Sequence, residues 1–325
     1  MKEKVLMLLA GEKGFVSGQE LCEKLNVSRT AVWKAVHQLQ EEGYEIEAVR
    51  NRGYRLLSIP DALSAEAIEA TARTRWAGRR VVFFSVIDSS NDEAKKLAEQ
   101  GAGHGTLVIA EQQTAGKGRR GRGFDSPAGT GIYMSLIIKD EIEPANASML
   151  TLLTGLAIAE AISNVTGLKP QIKWPNDVIL SGKKVCGILT EMSLQMDCIN
   201  HIVIGAGINV QNESFPEEIA PVATSLFIES GKKTNRVELT AEILRRFESA
   251  YERFMRTQDL TYIMDDYNAL LINRDRRVRV LDPKKPFEGT ALQIDARGDL
   301  LVMTDGEIRP VAAGEVSVRG VYGYV

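Results

Sequence analysis

Residues 116–127 read Gly-Lys-Gly-Arg-Arg-Gly-Arg-Gly-Phe-Asp-Ser-Pro. Gly116, Gly118 and Gly121 have the spacing G-x-G-x-x-G, which in a dinucleotide-binding fold turns a strand into a helix beneath a pyrophosphate. Here Phe124-Asp125-Ser126-Pro127 follows, and a proline so soon stops the helix that the fingerprint requires. A doubly wound dinucleotide fold is therefore rejected. What remains is a glycine-rich loop with four cations, Lys117, Arg119, Arg120 and Arg122, in six residues. Glycines permit positive φ and close backbone approach, and cations neutralise phosphate. Four like charges repel, so the loop is expected to stay unordered until an anion arrives. The residues read as a phosphate or nucleotide site. Nucleic acid is the competing ligand, and a solvated surface loop is the bland alternative.

Strand and helix signals mix on both sides of the loop. Val81–Ile87, Thr106–Glu111, Ile132–Lys139, Gln171–Lys173, Val178–Leu180, Val185–Ser193 and Ile199–Val210 read as strands. Helices are expected over Asn91–Gln100, capped by Ser89 or Ser90, and over Met149–Asn164, Ala241–Arg256 and Leu260–Leu271. Runs of adjacent strands predict an α+β domain with a mixed sheet. Lys173-Trp174-Pro175-Asn176-Asp177 joins two strands, and Pro175 cannot donate to a ladder, so a bend is expected. Lys173 and Asp177 read either as an ion pair at a strand corner or as a cation and a carboxylate at a site rim. Lys184–Leu189 and Gly205–Asn209 put Gly187, Gly205 and Gly207 inside strand patterns. Such glycines mark close approach of a ligand or tight packing within the sheet. Cys186 reads as a buried, inert thiol.

Residues 1–57 read as three short helices and a hairpin. Ser17 and Glu20 form a capping box, and Ser28 is an N-cap for a third helix with Val32, Val36 and Leu39 as its buried stripe. Arg29, Thr30, Trp33, Lys34 and His37 lie off that stripe, and a hairpin with Arg50, Arg52 and Arg55 follows. Ser28, Arg29, Thr30, Trp33, Lys34 and His37, with Arg50 and Arg52, form the candidate DNA contacts. The unit resembles a winged helix-turn-helix, with the third helix placed for the major groove. Leu57–Asp61 reads as a linker. At the other end, Arg277–Leu281, Phe287–Ile294, Leu300–Thr304, Ile308–Val311 and Glu315–Val318 are short strands parted by turns such as Asp282-Pro283. They resemble a small SH3-like β-barrel.

The length of 325 residues suggests about two domains at roughly 150 residues each. The motifs divide it into three: residues 1–60, 61–272 and 273–325. A hydrophobic share of 44% permits packed cores and excludes global disorder. No run of about 18 apolar residues occurs, which argues against a membrane. Three cysteines without a CxxC pair and three dispersed histidines argue against a disulfide framework or a zinc site and suit a reducing cytoplasm. The net charge of −3 averages over an acidic body and hides two basic foci.

Asp88–Asn91, Gly116–Arg122, Lys173–Asp177, Lys184–Leu189 and Gly205–Asn209, in this order, resemble the motifs of biotin protein ligases. With the N-terminal unit, the whole chain is similar to members that also repress biotin genes. The resemblance implies formation of biotinyl-5′-AMP from biotin and ATP with Mg²⁺, then transfer of biotin to a lysine of a carboxylase carrier domain. It implies Arg119, Lys173, Asp177 and Lys184 as catalytic residues, with Asp177 indirectly near the metal. Ser89, Ser90, Gln113, Lys117, Gly187 and Gly205, with Arg119 and Lys184, would bind biotin. Gly116, Gly118, Arg119, Arg120, Arg122, Phe124 and Asn209 would bind the nucleotide, Asn209 reading adenine. Phe124 stands where some members are expected to carry a stacking tryptophan. Biotinyl-AMP is implied as corepressor, a homodimer as its product and operator DNA as the target. The rivals are a lipoate or octanoate ligase on the same fold and a non-catalytic ligand-sensing transcription factor.

Overall fold

The computed structural model describes residues 1–12, 14–195, 198–282, 285–313 and 317–320. At the N-terminus, α1 (Lys2–Gly11), α2 (Gly18–Leu25) and α3 (Arg29–Glu41) pack through Val5, Leu6, Leu9, Leu21, Val32, Val36 and Leu39. Ser17 Oγ accepts from Glu20 N at 3.1 Å and Ser28 Oγ from Ala31 N at 3.2 Å, so both helix starts have their expected caps. Next come β1 (Glu45–Val49) and β2 (Gly53–Ser58), an antiparallel hairpin. Tyr54 pairs with Val16 through bonds of 2.8 and 2.9 Å. Gly53 sits at φ 106, where a Cβ would stand 2.0 Å from the Val16 carbonyl, so only glycine lets the hairpin dock this closely.

The central unit runs α4 (Ala65–Ala72), β3 (Arg80–Phe84), α5 (Ser90–Glu99), β4 (Thr106–Ala110), β5 (Gly131–Ile138) and α6 (Met149–Thr166). It continues with β6 (Gln171–Lys173), β7 (Asp177–Leu180), β8 (Lys183–Gln195), β9 (Cys198–Asn209), α7 (Leu226–Ser230), α8 (Arg236–Thr257) and α9 (Met264–Leu270). The seven strands are ordered β3-β4-β5-β9-β8-β7-β6. Only β3 and β4 run parallel, as a mixed sheet requires. Strand alternation sends Leu107 and Ile109 into the main core with α6 and α8, and Val108 into a smaller cluster with Ala94 and Ala98 of α5. The C-terminal strands β10 (Arg277–Leu281), β11 (Phe287–Ile294), β12 (Leu300–Thr304), β13 (Glu307–Val311) and β14 (Ser317–Gly320) form an antiparallel sheet ordered β13-β12-β11-β10-β14.

Several expectations are corrected. The helix expected from Ala241 starts at Arg236, because Asn235 Oδ1 accepts from Val237 N and Glu238 N. Leu260–Leu271 is a 3₁₀ turn at Thr261–Ile263 followed by α9. The one-turn helix α7 carries too little periodicity to be read from sequence. Of the last expected strand, residues 315 and 316 lie outside the described residues, as does Pro283 of the expected turn. The stretch Pro144–Thr166 is long and apolar enough to cross a membrane, with mean hydropathy 1.4, but 78% of its apolar window is buried within the fold. It is a core helix.

The expected linker is pinned rather than free. Asn235 Nδ2 donates to the Ile59 carbonyl at 2.6 Å. Buried Arg236 reaches Asp61 Oδ1 at 3.1 Å and Glu111 Oε1 at 2.9 Å. Glu111 Oε1 also accepts from Gly129 N at 2.7 Å, so one guanidinium ties the linker to the strap that follows the basic loop.

Candidate functional site

One cleft gathers most of the expected ligand-binding residues. Ser89, Ser90, Gln113, Lys117, Gly118, Arg119, Phe124, Lys184, Gly187 and Gly205 all line it. Ser89 and Ser90 arrive together because they open α5 against the sheet, Ser89 at its N-cap. Gln113 locks this corner: its Oε1 accepts from Ser90 N at 2.8 Å and its Nε2 donates to Ser126 Oγ at 2.9 Å. An adjoining cleft is lined by Arg119, Arg120, Arg122, Lys173, Asp177 and Lys184, and by Arg319 of β14. Arg119 and Lys184 line both, at the junction between a polar pocket and a cationic one.

The basic loop is closed on itself by backbone bonds. Gly118 N donates to Arg122 O at 2.7 Å and Phe124 N to Gly116 O at 2.8 Å, closing it as a tight turn. Lys117 Nζ pairs with Asp92 at 2.6 Å, and Arg119 Nη1 donates to Asn176 Oδ1 at 3.0 Å. These partners offset the repulsion. Positive φ falls at Gly121 and, against expectation, at Arg120 (φ 57). Gly116 is required for space: a Cβ there would stand 2.4 Å from the Phe124 carbonyl.

The strand glycines also resolve. A Cβ on Gly205 would lie 2.0 Å from Asn91 Oδ1, one on Gly187 2.6 Å from Lys184 Nζ, and one on Gly207 2.6 Å from the Phe124 ring. They make room for side chains of the cleft rather than for a neighbouring backbone. Phe124 thus lies over the β8–β9 floor, where Gly187 and Gly207 face each other in register.

Lys173 and Asp177 are register partners across the β6–β7 hairpin, whose Trp174–Pro175 peptide is cis. Both line the cationic cleft, and a third residue joins them: Asp177 Oδ1 lies 2.7 Å from Lys184 Nζ. Lys173 is 5% exposed. Burial lowers its pKa to about 8, opposed by Asp177 and assisted by Lys184, Arg319 and Arg122. Burial likewise pushes the Cys186 thiol far up, consistent with an inert cysteine. Asn209 stands apart from the residues gathered in these two clefts. It lines neither cleft, and its buried amide donates to the Thr224 carbonyl at 3.1 Å. The residues missed in the sequence are Asn91, Ser126, Ser135, Asn176, Glu191 and Arg319. Asn91 and Asn176 stood inside quoted motifs, whereas the others carried no local signal.

The second site is on the N-terminal unit. Arg29, Thr30, Trp33, Lys34 and His37 are exposed on α3, with Trp33 and His37 stacked at 5.4 Å. Ser28 serves first as the cap. Arg50 and Arg52 are exposed at the hairpin tip, and with Arg29 they line a groove between α3 and the hairpin. Arg55, the third arginine of the hairpin, pairs with Glu47 across the strands at 2.6 Å. Phe15 lies beneath Arg52 and Arg55, at 4.2 and 4.9 Å from ring centroid to guanidinium.

Comparison with known proteins finds relatives for all three parts of the chain. The profile described as "Biotin/lipoate A/B protein ligase family" matches residues 83–209, "HTH domain" matches 2–55 and "Biotin protein ligase C terminal domain" matches 275–319. The chain is 41% identical over 308 residues to the bifunctional ligase/repressor BirA of Bacillus spizizenii, covering 94% of each. It is 33% identical over 317 residues to the protein of that name from Escherichia coli, covering 97% of this chain and 96% of the relative. A solved structure of the biotin protein ligase from Aquifex aeolicus in complex with biotin and ATP superposes with TM-score 0.66 at 28% identity, covering 74% of this chain and 99% of that one. The chain belongs to the biotin protein ligase family, among its bifunctional ligase/repressor members.

Proposed function

We infer that the protein is an ATP-dependent biotin protein ligase and a biotin-responsive repressor. It joins biotin to AMP and passes the biotinyl group to a lysine of a carboxylase carrier domain. The observation that carries the enzymatic reading is the pair of clefts meeting at Arg119 and Lys184. A ring with hydrogen-bonding edges suits the Ser89–Ser90–Gln113 corner, and a triphosphate suits the cationic cleft. Their junction is where a carboxylate would meet an α-phosphate.

In the first step a biotin carboxylate oxygen bonds to the α-phosphorus of ATP and pyrophosphate leaves. Two anions must approach, and Arg119 and Lys184 neutralise both, then hold the mixed anhydride by position and charge. Lys173, Arg120, Arg122 and Arg319 face the departing phosphates. In the second step the acceptor lysine nitrogen attacks the acyl carbon, AMP leaves and the nitrogen loses a proton. We assign to Asp177 the orientation or deprotonation of that lysine. An Asp177→Asn enzyme that forms the adenylate and transfers it at full rate would sink this role. The residues suit a Mg²⁺ ion carried in by the nucleotide, since magnesium takes one or two carboxylates plus substrate phosphates and Asp177 faces the cationic cleft. When bound, it would neutralise phosphate charge.

Residues 1–60 serve as a winged helix-turn-helix, 61–272 as the catalytic domain and 273–325 as an SH3-like barrel. Biotinyl-AMP acts as corepressor by favouring a homodimer, which matches a two-fold operator. Sedimentation at micromolar protein should shift towards dimer when biotinyl-AMP is added. The site of action is the cytoplasm. Pyrophosphate release stimulated by biotin and not by lipoate tests the substrate. Labelling of an added carrier domain tests the transfer.

A further inference from the structure

Behind the cleft wall runs a chain of hydrogen bonds whose direction follows from chemistry. Asn91 is 4% exposed and occupies the slot that Gly205 opens. Its Nδ2 lies 2.8 Å from Glu191 Oε2 and 3.2 Å from the Leu189 carbonyl. Both partners accept, so the amide nitrogen is held there and Oδ1 faces Ser135 Oγ, 2.6 Å away. Oδ1 cannot donate, so the single hydroxyl proton of Ser135 is committed to it. The contact of 2.8 Å between Ser135 Oγ and Ser90 Oγ then needs a proton from Ser90. Ser90 spends its proton inside the wall and turns a lone pair to the cleft that it lines.

We propose that Glu191, acting through Asn91 and Ser135, sets the proton polarity of the cleft wall, so that Ser90 accepts a hydrogen bond from a ring N–H of the substrate. Glu191 is a positioning residue and touches no ligand. Lys95 donates to its other oxygen, Oε1, at 3.0 Å, which leaves Oε2 for the Asn91 amide. The inference rests on the biotin-ligase reading, because the ureido ring of biotin carries two N–H donors.

Glu191→Gln keeps the shape of the wall and releases its polarity, because glutamine can donate as well as accept and the Asn91 amide can turn over. In biotin-dependent ATP–pyrophosphate exchange, the KM for biotin is expected to rise about tenfold, the scale of one misdirected buried hydrogen bond. The kcat and the KM for ATP are expected to stay within about twofold of wild type, since only ureido recognition is touched. Discrimination between biotin and analogues methylated at either ureido nitrogen should narrow, because an uncommitted Ser90 no longer demands an N–H. Ser135→Ala frees the Ser90 proton by a second route and should narrow it too, which keeps the test intact where Glu191→Gln folds poorly. Unchanged biotin KM and discrimination in both variants, or equal losses towards biotin and ATP, overturn the proposal. A wild-type protein with no biotin-dependent exchange would instead overturn the ligase reading itself.

Discussion

Lys173→Met should make the ligand-free protein more stable while crippling its chemistry. Lys173 is 5% exposed, and its pKa falls from 10.5 to about 8, with burial as the largest cause. At ~1.4 kcal/mol per tenfold change in proton affinity, that fall represents about 3 kcal/mol of disfavoured charge. Methionine keeps the apolar stem and removes the charge. Asp177 loses one favourable neighbour but keeps Lys184 at 2.7 Å. The expected net gain at pH 7 is therefore about 1–3 kcal/mol. The pH dependence carries a definite sign. Between pH 8 and 10.5 the unfolded chain still binds the proton that the folded chain has released, so wild-type stability rises with pH across that window and its penalty is complete below it. The variant should lack this rise, so the two curves converge as pH approaches 10.5. Phosphates entering the cleft favour the charged form, so nucleotide binding above pH 8 should take up a proton and weaken as pH rises. Urea unfolding from pH 7 to 10, with calorimetric titration of ATP in buffers of different ionisation enthalpy, measures both. A destabilised variant whose curve runs parallel to wild type would refute the reasoning.

Gly205→Ala places a Cβ 2.0 Å from Asn91 Oδ1, which must move. We expect about 1–3 kcal/mol of destabilisation on chemical unfolding and biotin affinity reduced at least about tenfold by calorimetry. Asp61→Asn removes one of the two carboxylates that hold buried Arg236. A loss of up to about 3 kcal/mol, with faster proteolysis near residues 57–61, is expected, while isolated carrier biotinylation persists. Arg52→Ala should weaken operator binding and reduce the slope of log K against log salt by about one. Phe15→Leu should shift the same slope more weakly by releasing the guanidinium it supports, and neither change should alter adenylation.

The readable parts of this molecule were those whose physics is local. β10, β11 and β12 fall on the residues expected, because alternating apolar residues and turn residues act within a few positions. The caps at Ser17 and Ser28 were likewise legible. The cleft residues could be collected only through the ordered motifs, since Ser90, Gln113, Lys184 and Gly205 meet through sheet order rather than spacing. What stayed hidden depended on contacts between distant elements. Glu191 gains meaning only opposite Asn91, and Arg319 only when β14 faces the β6–β7 hairpin. The charge of the loop is legible in the sequence and its partners are not, because Asp92 and Asn176, which meet Lys117 and Arg119, lie on other elements.

Arg236 joins Asp61 in the linker to Glu111, and through it to Gly129 in the strap behind the basic loop. Such a junction works in both directions, since coupling free energies between two binding events are reciprocal. Whatever preference for operator DNA an ordered strap confers, bound operator must return as tighter retention of the adenylate. Demand for biotinylation and occupancy of the operator would compete for one pool of loaded protein.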